Sequence, residues 1–138
     1  AQLVEAASEM GNAVLLGTSS LWEGVDIPGD PLRVVVLTRL PFNVPTDPVF
    51  AARSEDFANP FNEYVVPQAV LRFRQGFGRL IRGAEDLGVF LILDARVRSR
   101  DYGHAFLEAL PPCEIRVLPS SKVSDAVAAW LAAPPACA

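Results

Sequence analysis

Residues 32–40 have the sequence LRVVVLTRL, a run of apolar residues that does not alternate with polar ones. The same character recurs in GVFLILD at residues 88–94 and in AVLLGTS at 13–19, and the shorter CEIRVL at 113–118 is a candidate edge strand. Nearly continuous apolar runs of this length are typical of strands that are covered on both faces of a parallel sheet. The sequence therefore predicts four strands, with residues 113–118 at the edge of the sheet.

Helical patterns lie between and around these strands. The predicted helices cover residues 2–10, 46–57, 67–83, 100–110 and 120–133, the first ended by Gly11 and the last with a serine near its N-cap. The alternation of helix and strand indicates a layered α/β domain, with a mainly parallel sheet flanked by helices.

The predicted sheet is small for a complete domain. Doubly wound sheets usually have about five or six strands, whereas this chain offers four and opens directly on a helix. One explanation is a minimal domain. We favour the other, in which residues 1–133 form a domain that lacks its N-terminal strands and residues 134–138 are a tail.

Length and composition describe one globular domain. The chain has 138 residues, of which 51% are hydrophobic and 20% charged, which excludes a disordered chain and allows one core. No apolar run is long enough to cross a bilayer, and no charged-then-apolar signal segment opens the chain. We therefore expect no membrane contact and a cytoplasmic location.

Cysteine and histidine are too scarce for several kinds of site. Cys113 and Cys137 lie far apart in no CxxC or Cys/His cluster, so we interpret them as incidental thiols, with a disulfide or a metal site as the alternative. His104 is the only histidine of the chain, which excludes a His-based triad or a multi-histidine metal site within it.

Arginine is concentrated in one part of this acidic chain. The net charge is −4, yet seven of the 12 basic residues lie between Arg72 and Arg100. Such clustering indicates a site for an anion. A solvated charged face is the alternative.

Residues 74–83, RQGFGRLIRG, put two arginines of this cluster on one face of a predicted helix. At about 100° per residue, Gln75, Arg79 and Arg82 fall within roughly 60° of one another on a helix. The apolar residues of the segment fall on the opposite side: Val70, Phe73, Phe77, Leu80 and Ile81. A guanidinium is a planar fork that matches phosphate oxygens. The alternative is a pair of surface arginines that bind carboxylates such as those of Glu85 and Asp86.

Two glycines interrupt the same helix. Gly76 and Gly78 each weaken it by about 1 kcal/mol relative to alanine, which is consistent with close approach of another backbone or a ligand. The segment is not a dinucleotide fingerprint, because Ile81 replaces the third glycine and no strand directly precedes it. The chain also has no G-x-x-x-x-G-K-[ST] phosphate loop, so we do not expect it to cradle a triphosphate alone.

The second informative segment is GTSSLWEGVDIPG at residues 17–29. It follows the first predicted strand, at the carboxyl edge where open α/β sheets bind ligands. Thr18 and Ser20 offer hydroxyl groups to a phosphate, Gly24 permits a tight turn, and Asp26 can accept hydrogen bonds from a sugar. The alternative is a polar loop with an aspartate at a turn.

Together the two segments resemble a known pair of motifs. GTSSLWEGVDIPG resembles motif V, and QGFGRLIR resembles motif VI (Q-x-x-G-R-x-x-R), of superfamily 2 helicases. The stretches LPFNVPTDPVFAARSE, NPFNEYVVPQAVLRFRQGFGRLIRG and LDARVRSRDYGHAFLEALP are similar to the second RecA-like motor domain of DinG-like helicases, relatives of XPD. The resemblance runs from about residue 12 to residue 112.

The resemblance implies an ATP site shared between two RecA-like domains. The first motor domain would supply the phosphate loop and the Mg²⁺-binding acidic box. This chain would supply Gln75, Arg79 and Arg82 as the catalytic residues that face the γ-phosphate. An arginine inserted in this way stabilises charge in the transition state.

Residues of motif V would contact both the nucleotide and the DNA strand. Glu23, Gly24 and Asp26 would contact the nucleotide, with Asp26 at the ribose. Thr18 and Ser20 would contact a phosphate of single-stranded DNA. We add the basic residues Arg96 and Arg98 as further candidates for the DNA strand.

Several parts of the family pattern are absent from this sequence: the first motor domain, the iron–sulfur cysteines and motif IV. We therefore expect the chain to need Mg-ATP held jointly with the first RecA-like motor domain of the same protein, and to be inactive alone. An iron–sulfur cluster, where the full-length protein has one, would lie outside this chain.

Two other functions are consistent with parts of the sequence. One is a non-catalytic RecA-like module that binds nucleic acid or a protein partner, in which every residue named above would look the same. The other is a small-molecule α/β enzyme, which is disfavoured because the chain lacks a nucleophile elbow, a metal cluster and a dinucleotide loop.

Overall fold

A computed structural model describes residues 2–18, 32–44, 46–81 and 86–133. The helices are α1 (Gln2–Met10), α2 (Pro48–Ser54), α3 (Val66–Leu80), α4 (Arg96–Ser99), α5 (Gly103–Glu108) and α6 (Ser120–Ala132), and the strands are β1 (Val34–Leu37) and β2 (Val89–Ile92). A π-helical segment, Phe61–Val65, runs directly into α3. The described part of the chain is thus an α/β fold, as predicted.

The two strands pair in parallel. Val34 lies opposite Val89, and Leu37 lies opposite Ile92. A parallel pair needs a crossover connection, which α2, the π-helical segment and α3 provide. These strands confirm the central parts of the predictions for residues 32–40 and 88–94.

The other two predicted strands are wrong within the described residues. Residues 13–18 and 113–118 have no regular structure, and Val14 and Leu16 are 86% and 88% exposed. Apolar side chains favour a strand, but a ladder also needs a neighbour for its backbone hydrogen bonds. The sheet of the described residues pairs only β1 with β2 and gives neither segment a neighbour.

The helices begin and end close to the predicted positions. Gly11, with a φ of +69°, follows α1 in the left-handed conformation typical of helix ends. Asp47 caps α2, since its Oδ1 accepts hydrogen bonds from the backbone N–H groups of Val49 at 3.0 Å and Phe50 at 3.1 Å. The last helix has Pro119 at its N-cap and no side-chain cap, so the predicted serine does not cap it.

One predicted helix is shorter than expected, and a helix that was not predicted precedes it. The segment predicted as a helix over residues 100–110 contains only α5, and the short α4 precedes it over Arg96–Ser99. The two helices meet at Gly103, whose missing side chain leaves room for the carbonyl oxygen of Val97: an added Cβ would lie 2.2 Å from it.

The core lies between α3, the sheet and α5. Phe73 of α3 and Phe106 of α5 are completely buried. The ring of Phe73 packs edge-on against Phe106 and against Phe90 of β2, with 5.4 Å between centroids in each case. The buried apolar residues around them are Leu37, Leu40, Val66, Ala69 and Val97. This confirms that Phe73 and Leu80 lie on the buried face of α3.

Contacts at its two ends show that α3 runs antiparallel to the strands. Phe42, which follows β1, packs against Phe61 immediately before α3, with 6.2 Å between ring centroids. At the other end Leu80 lies beside Gly88, the residue that precedes β2. The start of α3 is therefore at the carboxyl edge of the sheet, and its end is at the amino edge.

We expect Gly103→Ala to lower the free energy of unfolding by about 1–3 kcal/mol, because the added methyl group would overlap a backbone carbonyl that cannot move freely. Gly78→Ala is the matched control: nothing in the described structure lies within 4 Å of its added Cβ. That change should raise stability by up to about 1 kcal/mol through helix propensity. Urea unfolding followed by circular dichroism measures both variants, and a Gly103→Ala protein as stable as wild type would contradict the packing described.

Candidate functional site

The open face of α3 carries two of the three residues predicted at motif VI. Gln75 is exposed and Arg79 is partly exposed, about 40° apart around the helix axis. Arg82 lies outside the described residues. Arg79 also occupies the last turn of α3, where a cation interacts favourably with the helix dipole. The structure therefore brings Gln75 and Arg79 together on one open face.

The glycines of α3 differ from each other in environment. Gly76 is on the buried face. Gly78 is exposed, and its Cβ position has open space around it in the described structure. The close approach predicted from these glycines is thus not supplied at Gly78 by the described residues.

Most of the motif V segment lies outside the described residues. Thr18 is exposed and has no regular backbone structure. The other predicted site residues of this segment lie outside the described residues: Ser20, Glu23, Gly24 and Asp26.

Arg96 is engaged by a neighbouring carboxylate. Its Nε donates to Oδ1 of Asp94 at 2.9 Å, and its Nη2 donates to Oδ2 at 2.6 Å. The backbone N–H of Leu40 also donates to Oδ2 at 2.8 Å, and that of Arg96 donates to Oδ1 at 3.0 Å. We call these three residues, Asp94, Arg96 and Leu40, the Asp94 clasp. It ties the loop after β1 to the loop after β2.

The clasp stabilises the charged form of Asp94. The Arg96 guanidinium and the two backbone N–H groups hold the pKa of the Asp94 carboxyl well below its usual range, although burial acts in the opposite direction. Asp94 raises the pKa of Arg96 in return. The side chain of Asp94 is only 7% exposed, whereas that of Arg96 is 42% exposed.

The main role of Arg96 in the described structure is therefore structural, since it binds Asp94. Two of its N–H groups are occupied by Asp94, and its guanidinium lies 5.6 Å from the ring centroid of Phe42, within range of a cation–π interaction. Its exposed remainder is still available to a ligand. Arg98, the other predicted DNA-binding residue of α4, is exposed.

A small open cavity of about 350 Å³ lies beside the clasp. Its lining comes from the residues that follow the two strands: Thr38 and Arg39 after β1, and Leu93, Asp94, Ala95 and Arg96 after β2. Neither Thr38 nor Arg39 was predicted from the sequence as a site residue. The rule that ligands bind at the carboxyl ends of parallel strands would have found them if applied to β1.

The described residues hold no group of three or more histidine, cysteine or acidic side chains arranged to bind a metal ion. Cys113 is exposed with a free thiol, and Cys137 lies outside the described residues. A four-cysteine iron–sulfur ligand set cannot come from the two cysteines of this chain. In the described part of the chain, no helix has the length and apolar character needed to cross a membrane.

We expect Asp94→Asn to lower the free energy of unfolding at neutral pH by about 1.5–3 kcal/mol, the usual contribution of hydrogen bonds to a charged group. Because folding lowers the pKa of Asp94, the stability that it provides is complete above its unfolded pKa of about 3.9. It is lost as the pH falls through the folded pKa. The difference between wild type and variant should therefore shrink below about pH 4.

Urea unfolding at several pH values tests the clasp. Glu114→Gln is the matched control, because it removes one partner of an ion pair whose side chains are 72% and 62% exposed, so no measurable change is expected. An Asp94→Asn protein that loses no stability at neutral pH, or loses the same amount at every pH, would contradict this account.

Comparison with known proteins identifies the family. The family described as Helicase C-terminal domain matches residues 1–113. The chain is 49% identical over 115 residues to the ATP-dependent DNA helicase YoaA of Escherichia coli, which covers 80% of this chain and 18% of that protein. It is 44% identical over 131 residues to the 3'-5' exonuclease DinG of Bacillus subtilis, which covers 92% of this chain and 14% of that protein.

A third relative is the ATP-dependent helicase DinG of Mycobacterium tuberculosis, 40% identical over 114 residues, or 80% of this chain and 17% of that protein. The chain thus spans less than a fifth of the length of each of these relatives. They confirm the resemblance to DinG-like helicases drawn from motifs V and VI. With its match from residue 1 to residue 113, this chain belongs to the helicase C-terminal domain family.

Proposed function

We propose that this chain is the second RecA-like motor domain of an ATP-dependent DNA helicase. In this role it supplies Arg79 of α3, and Arg82 two residues beyond α3, to an ATP molecule bound between two motor domains. The observation that carries the proposal is the open face of α3, where Gln75 and Arg79 lie side by side. That face belongs to a chain 49% identical to an ATP-dependent DNA helicase.

The chemistry follows from what α3 can and cannot supply. Arg79 is a partly exposed arginine at the end of a helix that is anchored in the core. Its guanidinium can reach a γ-phosphate without reorganising the domain, and charge that is positioned in advance in this way stabilises a transition state. The phosphate loop and the carboxylates that hold Mg²⁺ come from the first motor domain in this proposal. The chain alone should therefore not turn over ATP.

Open space at Gly78 supports the same arrangement. Gly78 lies about 60° from Gln75 around α3, and nothing in the described structure contacts its Cβ position. A glycine there lets another surface reach the helix backbone beside the two polar side chains. We assign that surface to the first motor domain with its bound nucleotide, whose contact would offset the helix-propensity cost of the glycine.

Motif V completes the proposed site. Glu23, Gly24 and Asp26 contact the nucleotide, and Thr18 and Ser20 contact a phosphate of single-stranded DNA. Arg98, exposed on α4, and the exposed part of Arg96 add positive charge for the strand. These assignments rest on the matching motif positions.

A second candidate function is a nucleic-acid-binding module that does not turn over ATP. The Bacillus subtilis relative favours it, because that protein is named as a 3'-5' exonuclease and its name does not mention ATP. ATP turnover by the full-length protein separates the two candidates: DNA-stimulated hydrolysis supports the helicase, and its absence supports the binding module.

We expect Arg79→Ala and Arg82→Ala in the full-length protein each to reduce kcat for ATP hydrolysis strongly, by about 10³–10⁵-fold if the residue acts as an arginine finger. Affinity for single-stranded DNA should stay nearly unchanged, because these side chains act on the phosphoryl group. Arg74→Ala is the matched control, since Arg74 is an exposed arginine of the same helix about 100° from Gln75. Steady-state ATPase rates within a factor of two of wild type for both test variants would overturn the assignment.

We expect the double variant Thr18→Ala/Ser20→Ala to bind single-stranded DNA more weakly whatever its sequence, because contacts to phosphate carry no base information. The loss should not exceed about 1.5–3 kcal/mol per residue, the contribution of a hydrogen bond to a charged acceptor. The dependence of affinity on salt should barely change, since neither side chain is charged. Fluorescence titration of labelled strands measures both quantities. Wild-type affinity combined with slow ATP turnover would instead assign this loop to the nucleotide.

A further inference from the structure

The cavity at the carboxyl edge of the sheet is separate from the α3 arginines. We propose that it binds one phosphodiester group of a nucleic-acid strand, with Arg39 as the principal contact and Thr38 and Arg96 beside it. This inference rests on the proposed helicase function and adds to it a contact outside motifs V and VI.

The charges of the cavity match such a ligand. Two guanidiniums, of Arg39 and Arg96, and one carboxylate, of Asp94, line it, which gives a formal charge of +1. The carboxylate does not face an incoming anion unscreened, because four N–H groups of Leu40 and Arg96 already donate to its oxygens. A phosphodiester carries a single negative charge and balances the cavity.

The donors of the cavity differ in how they are held. Arg96 is fixed by Asp94, so its position is set before a ligand arrives. Arg39 is exposed, and within the described structure neither a hydrogen bond nor an ion pair engages its side chain. It is therefore the guanidinium with the most free capacity to bind a phosphate, and the hydroxyl of Thr38 adds a neutral donor.

The rest of the lining favours a strand over a free nucleotide. Leu93, 56% exposed, and Ala95 offer apolar surface that suits a sugar. The volume of about 350 Å³ is near the lower limit of ligand cavities, about 300–1,000 Å³. A triphosphate carries several negative charges and would need more compensation than a formal charge of +1. Because only phosphate and sugar would be contacted, binding should be independent of base sequence.

The position of the cavity separates it from Arg79, the described arginine that we propose faces the γ-phosphate. α3 has 15 residues, about 22 Å at 1.5 Å per residue. Its start lies at the carboxyl edge, close to the aromatic residues that follow β1, and Arg79 lies in its last turn at the amino edge. The proposed strand contact and Arg79 are thus at opposite ends of α3.

The test is a salt titration with the full-length protein. A fluorescein-labelled single-stranded oligothymidylate is titrated with wild type, Arg39→Ala, Arg39→Lys and Arg53→Ala at several salt concentrations. Loss of one phosphate contact on a single strand lowers the steepness of log affinity against log salt by about 0.7. We expect this for Arg39→Ala, and a wild-type slope for Arg39→Lys, which keeps the charge. Arg53, an exposed arginine in the last turn of α2, is the matched control and should also keep the wild-type slope.

Two results would overturn the inference: a wild-type slope for Arg39→Ala, or an equal loss for Arg53→Ala, which would reflect total charge instead of this cavity. DNA-stimulated ATP turnover of the same wild-type preparation tests the proposed function separately. If wild type hydrolyses ATP while Arg39→Ala keeps the full slope, the cavity assignment fails and the helicase function stands. If wild type neither hydrolyses ATP nor binds the strand, both fail.

Discussion

The packing of Phe73 determines how the described part of this domain is arranged. The ring is completely buried, edge-on to Phe90 of β2 on one side and to Phe106 of α5 on the other. Two short strands have little stability by themselves, so the sheet depends on the helix that covers it. Removing a buried phenylalanine of this kind typically costs about 3–5 kcal/mol. Phe73 thus joins α3, the sheet and α5 into one core.

Two consequences for function follow from the orientation that this contact imposes. With Phe73 turned inward, Gln75 and Arg79 are left on the open side of α3, and Arg79 lies in its last turn at the amino edge of the sheet. At the carboxyl edge the Asp94 clasp closes the two loops after the strands and leaves Arg39 beside the cavity. In the proposed function, Arg79 at one end of α3 serves the nucleotide and Arg39 near the other end serves the strand.

The sequence predicted those parts of the structure whose cause is local. Apolar runs predicted β1 and β2, and helical spacing predicted that Phe73 and Leu80 face the core while Gln75 and Arg79 do not. The segments at residues 13–18 and 113–118 were also predicted as strands, but a strand depends on a neighbour that the segment's own sequence does not specify. The break before Gly103 likewise depends on a contact with the carbonyl of Val97.

The candidate site was likewise predicted only where its cause lies in the local sequence. Arg96 was predicted as a DNA ligand from its charge alone, and only the structure shows that Asp94, two residues earlier, occupies two of its N–H groups. Arg39 was missed because it is an isolated arginine at the end of a strand, outside the cluster between Arg72 and Arg100. Motifs V and VI led to the family because each combines several residues at fixed spacing. The residues they name at motif V lie mostly outside the described part of the chain.

We propose that α3 holds Arg79 toward ATP at one end and lies beside a strand-binding cavity at the other. An experimental structure of the full-length protein with a non-hydrolysable ATP analogue and single-stranded DNA tests it most directly. The account predicts the guanidinium of Arg79 within hydrogen-bonding distance of the terminal phosphate, and a DNA phosphate against Arg39 and Thr38. A structure in which Arg79 points away from the nucleotide, or in which no DNA phosphate lies against Arg39, would contradict it.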